Sequence, residues 1–142
     1  MSLTSDRKTE LLAATPLFAS VDASGLERIA GRAVEVTFSD GHVIARQGEV
    51  GTGFFVIAQG GARVVRDGET IATLGAGDFF GELSVLDGRP RVAQVIAAGD
   101  TTCLALATWD LEAVVGEQPS VGLALLRGLA ERLRTLSEAG RH

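Results

Sequence analysis

Residues 54–75 read Phe54-Phe55-Val56-Ile57-Ala58-Gln59-Gly60-Gly61-Ala62-Arg63-Val64-Val65-Arg66-Asp67-Gly68-Glu69-Thr70-Ile71-Ala72-Thr73-Leu74-Gly75. Short runs rich in Val, Ile, Phe and Thr are punctuated by Gly60-Gly61 and Asp67-Gly68. β-Branched and aromatic side chains suit a pleated, half-buried surface. Asp-Gly between two such runs is a tight-hairpin signal. The same texture runs outward from Val34 to Ala107, with further glycines at 41, 48, 51, 53, 77, 88 and 99. It predicts strands at 34–38, 42–46, 54–58, 62–66, 69–74, 91–97 and 101–107, with Gly99-Asp100 as a second tight hairpin. Short strands at close, regular spacing are the signature of an antiparallel sandwich or barrel.

Helical patterning flanks this region. Leu11, Leu12 and Ala14 follow a polar start in a short helix over 5–14, which Thr15-Pro16 breaks because the residue before proline avoids the helical region. Asp22 to Arg32 reads as a second helix, capped by Asp22 or Ser24, with Leu26, Ile29 and Ala30 as its apolar stripe. After Ala107, Thr108 is placed to cap a short helix through Leu111, Val114 and Val115. Pro119 stands near the start of a last helix reaching about Ser137. The fold expected is α+β: an eight-stranded antiparallel β-sandwich or jelly-roll barrel over 33–107, with helices at 5–32 and 108–138, all in one domain over 1–142.

Composition narrows the function classes. The chain has 142 residues, 46% of them hydrophobic, enough for a real core and against disorder. No apolar run approaches the ~18 residues that cross a bilayer, and residues 1–8 lack the apolar stretch of a secretory signal. Cys103 is the only cysteine, so a reducing cytoplasm is the expected compartment. The net charge of -5 argues against nucleic-acid contact by this chain. His42 and His142 are the only histidines, too few for a multi-histidine metal site. No metal, cofactor or catalytic residue is expected. Cys103, in a predicted strand without a local base, reads as a small core residue.

The chemistry concentrates in residues 80–95, Phe80-Gly81-Glu82-Leu83-Ser84-Val85-Leu86-Asp87-Gly88-Arg89-Pro90-Arg91-Val92-Ala93-Gln94-Val95. A short helix beginning near Glu82 would aim free N–H groups at an anion. Gly81 lets backbone approach a ligand closely. Arg91 offers a planar, permanently charged fork for phosphate oxygens. Glu82 is acceptor-only and suits a sugar hydroxyl. Together they fit a ligand that is both sugar and phosphate.

Phe80-Gly81-Glu82-Leu83-Ser84, a gap, then Pro90-Arg91-Val92-Ala93-Gln94-Val95 resembles the phosphate-binding cassette of cyclic nucleotide-binding domains. Val43–Glu49, Phe54–Gly60 and the Gly77-Asp78-Phe79-Phe80-Gly81-Glu82 lead-in are also similar to that family, and the resemblance covers about residues 11–137. It implies that Arg91 binds the exocyclic phosphate oxygens and Glu82 the ribose 2′-hydroxyl. Gly81, Leu83 and Ser84 would give backbone N–H groups, and Phe80, Val92 and Ala93 would complete the set. In cGMP-tuned members the position of Val92 often carries a hydroxyl, so the resemblance implies cAMP, with cGMP as the other candidate. Gln94, often Thr or Ser in the family, departs from the pattern.

The last helix resembles the family's lid or dimer helix. Leu126, Leu129, Leu133 and Leu136 have coiled-coil spacing; a homodimer seam and packing on the chain's own barrel are both open. Arg132, Thr135 and Ser137 are the lid candidates, since no aromatic follows Trp109. Trp109 itself reads as a helix-packing anchor. The function implied is a non-enzymatic cyclic nucleotide sensor signalling through the C-terminal helix. The alternatives are a ligand-silent interaction domain and the sensor half of a catabolite activator-type regulator without its helix-turn-helix.

Overall fold

The computed structural model describes residues 3–49, 53–81 and 89–139. They fall into two compact units, a β unit over Ala33–Thr108 and a helical unit joining Leu3–Arg32 to the segment from Trp109 onward.

The described residues of the β unit form eight strands: β1 (Val34–Phe38), β2 (Val43–Ala45), β3 (Gly53–Gln59), β4 (Gly61–Arg66), β5 (Glu69–Gly75), β6 (Phe79–Phe80), β7 (Gln94–Ala97) and β8 (Thr101–Ala107). They form two four-stranded sheets, ordered β1-β8-β3-β6 and β2-β7-β4-β5, with every pairing antiparallel. This is the expected eight-stranded sandwich. Ile57, Phe80 and Cys103 from the first sheet meet Ala45, Ala62 and Val95 from the second in one buried cluster, with Phe38, Phe55, Val64 and Leu74 packed against it. Sheet on sheet with alternating inward side chains is what the period-two pattern requires.

Two sequence expectations for the β unit need correction, and one strand lies where none was expected. The strand expected at 91–97 begins only at Gln94, because Val92 and Ala93 form a bend and the backbone of Arg91 bonds to Gly48 and Glu49. The eighth strand is β6, two residues long and paired with Phe55 and Val56 of β3; so short a run carries no alternation signal. Gly99-Asp100 is not a hairpin, since β7 and β8 lie in different sheets and the turn carries the chain across the sandwich. Asp67-Gly68 does close one: β4 and β5 pair up to Arg66 and Glu69. Both turn residues have positive φ, 51° and 84°, the type I′ geometry that matches strand twist.

The helical unit contains α1 (Ser5–Ala13), a 3₁₀ turn (Pro16–Phe18), α2 (Ala23–Arg32), α3 (Thr108–Glu117) and α4 (Pro119–Ala139). Asp22, not Ser24, caps α2, its carboxylate accepting from the Gly25 N–H at 2.8 Å. Arg32 at the end of α2 pairs with Glu117 at 2.8 Å and Asp110 at 3.3 Å. Gly128 lets α4 pack on the 3₁₀ turn, since a Cβ there would meet the carbonyls of Pro16 and Leu17 at 2.8 and 2.7 Å. Trp109 is 63% exposed and so is not the buried anchor expected.

Candidate functional site

The site is built on the chain leaving β6 and the chain entering β7. Phe80 is buried, its ring stacked on Phe55 at 5.0 Å. What it offers a ligand is therefore backbone, and its side chain fixes where the strand ends. Gly81 follows with φ +89°, a left-handed conformation that favours glycine. A side chain there would strike the Gly53 carbonyl and lie 3.1 Å from Arg91 Nη1. Gly81 thus lies directly beside the guanidinium.

Arg91 is half-buried and its Nη2 donates to the Gly53 carbonyl at 3.1 Å. Its backbone N–H donates to the Glu49 carbonyl at 2.8 Å, and its carbonyl accepts from the Gly48 N–H at 2.8 Å. Burial pushes its pKa below the ordinary guanidinium value. Among the described residues no carboxylate lies within ion-pair distance of it. A partly desolvated cation favours an incoming anion. Val92, next along, is 73% exposed and apolar, and Ala93 is half-buried.

Phe80, Gly81, Arg91, Val92 and Ala93 therefore belong to one unit, with Gly81 and Arg91 in direct proximity. Glu82, Leu83, Ser84 and the helix expected near Glu82 lie outside the described residues. Arg132, Thr135 and Ser137 stand on the last turns of α4 in the helical unit; the Thr135 hydroxyl donates to the Glu131 carbonyl at 3.1 Å. Sequence reasoning missed Gly53 as the acceptor that orients Arg91. Its only signal was membership in a glycine-rich turn, which does not name a partner 38 residues away.

Elsewhere, Cys103 lies in the core, and burial pushes its thiol up to about 11, so it is protonated and unreactive at neutral pH. Among the described residues no three His, Cys, Asp or Glu side chains gather to hold a metal ion. Among them, too, no helix is long and apolar enough to cross a membrane.

The cyclic nucleotide-binding domain model matches residues 35–118, spanning β1 to the end of α3. The chain belongs to the cyclic nucleotide-binding domain family. It is 33% identical over 126 residues to a cyclic nucleotide-gated potassium channel of Rhizobium etli, covering 89% of this chain and 35% of the channel. It is 31% identical over 130 residues to a CRP-like cAMP-activated global transcriptional regulator of Mycobacterium tuberculosis, covering 88% of this chain and 58% of the regulator. The chain thus spans about a third to three fifths of these relatives. Among solved structures it resembles the N-terminal domain of a transcriptional regulator from Streptomyces coelicolor A3(2). That match has 32% identity and a TM-score of 0.82 and covers 92% of this chain and 94% of the other.

Proposed function

We propose that this chain is a cytoplasmic, non-catalytic sensor of cAMP that reports through its C-terminal helix to an attached or associated effector. The observation that carries the reading is Arg91, a half-buried cation oriented by the Gly53 carbonyl and met by no carboxylate among the described residues. In this reading Arg91 takes the exocyclic phosphate oxygens, and Gly81, Leu83 and Ser84 offer backbone N–H groups to the same phosphate. Glu82 accepts from the ribose 2′-hydroxyl, and Phe80 and Ala93 set the shape of the pocket. Val92 supports adenine over guanine because it is exposed and has no hydroxyl to offer. Arg132, Thr135 and Ser137 supply the lid over the base. Binding shifts a two-state equilibrium of α4, so the ligand changes the output only by its differential affinity for the two states.

Titration calorimetry tests this. The wild-type chain should bind cAMP more tightly than cGMP. Arg91→Ala should cost about 2–3 kcal/mol of cAMP affinity, the scale of a charge-assisted bidentate contact. Unchanged affinity would remove Arg91 from the site. Binding of neither nucleotide would favour a ligand-silent interaction domain.

A further inference from the structure

The geometry points to Gln47 as a positioning residue for Arg91, acting through the loop between β2 and β3 rather than by touching ligand. The inference rests on Arg91 being the phosphate ligand.

Both backbone hydrogen bonds described above for Arg91 come from this loop: the Gly48 N–H and the Glu49 carbonyl bracket it. Its guanidinium is held by the carbonyl of Gly53, the first residue of β3. Arg91 precedes the first residue of β7 by three positions, so the sheet ladder does not fix it; the loop does. The loop in turn is exposed at Arg46, Gln47, Gly48 and Glu49. Exposed backbone with few buried contacts opens locally at low cost unless something ties it down.

Gln47 supplies that tie. Its Nε2 donates to Asp67 Oδ1 at 2.9 Å, and its Oε1 accepts from the Asp67 N–H at 3.1 Å. A primary amide is the side chain that can do both at once, with one donor arm and one acceptor arm. The anchor is Asp67, at φ 51° in the two-residue hairpin between β4 and β5, whose register runs up to Arg66 and Glu69. Gln47 is chemically adjacent to Gly48, whose N–H holds Arg91. The route runs from hairpin to Gln47 to Gly48 to Arg91, all within the β unit. Loosening it would let the guanidinium sample orientations that miss a phosphate, and small misplacement is costly at such a contact.

The test is a double-mutant cycle in cAMP affinity, read by calorimetry on the full chain. Gln47→Ala should weaken cAMP binding about fivefold to tenfold, the loss of roughly 1 kcal/mol of orientation. In an Arg91→Ala background the same change should alter affinity less than about twofold. Asp67→Asn keeps both the Oδ1 acceptor and the backbone donor and should bind like wild type. Asp67→Gly keeps the hairpin but removes one of the two bonds and should fall between. Wild-type affinity in Gln47→Ala, or an equal loss with and without Arg91, overturns the positioning role while leaving the sensor reading intact. If Arg91→Ala alone binds cAMP like wild type, the sensor site as proposed fails and the positioning role falls with it.

Discussion

Gly81 illustrates at the residue scale what a single position contributes. The sequence marks it as a place where backbone comes close to a ligand. The structure adds that its nearest neighbours are the Gly53 carbonyl and Arg91. Gly81→Ala would combine left-handed strain of about 1 kcal/mol with displacement of the carbonyl that orients the guanidinium. Gly41 is the control, since it has a similar φ of 83° but open space around it. Gly41→Ala should lower thermal stability by the strain alone and leave cAMP affinity unchanged. Gly81→Ala should lower both, with affinity falling about tenfold or more by the scale of a misaligned charged contact. Equal affinities for the two variants would detach Gly81 from the site. Arg91 was legible because it lies in a contiguous motif with a chemical rationale. Gln47 was not, because its partner Asp67 is 20 residues away and no periodicity announces a reciprocal amide pair.

At the scale of elements, what was readable followed from local chemistry. β1, β3, β4, β5 and β8 came through as alternating runs between glycines. The Asp67-Gly68 hairpin was readable because its turn type demands two positive φ values that few residues tolerate. The Gly99 turn shares the same local chemistry, yet it joins strands in different sheets. Glycine at a turn fixes curvature, and the sheet assignment depends on long-range pairing that a local stretch does not encode. β7 starts late for a related reason: the Arg91 backbone has partners in the β2–β3 loop. α2 was the cleaner case, with Asp22 ahead of an apolar stripe. Asp22→Ala should remove the 2.8 Å bond to the Gly25 N–H and cost about 1 kcal/mol in denaturant unfolding. Asp22→Asn, which keeps an acceptor, should cost a fraction of that; equal losses would mean that charge at the helix end, not the cap bond, stabilises α2.

For the whole molecule, the proposed signalling through the C-terminal helix turns on what α4 presents. Leu126, Leu133 and Leu136 are 64%, 65% and 58% exposed, while Leu129 is half-buried. Leu126 and Leu133 stand one heptad apart, as do Leu129 and Leu136, which is the register of a two-stranded seam. In a two-fold dimer each such leucine is buried twice, once from each protomer. Burying an exposed leucine contributes about 1.5–3 kcal/mol, so the two-fold seam gains from each position two times over. Replacing Leu126 and Leu133 together with Glu should therefore convert a dimer to a monomer in sedimentation velocity at micromolar concentration. It should leave the melting temperature of the β unit unchanged. Val34→Glu, at an exposed position in β1, should leave the assembly as it was. A wild-type chain that sediments as a monomer at those concentrations would reject the seam.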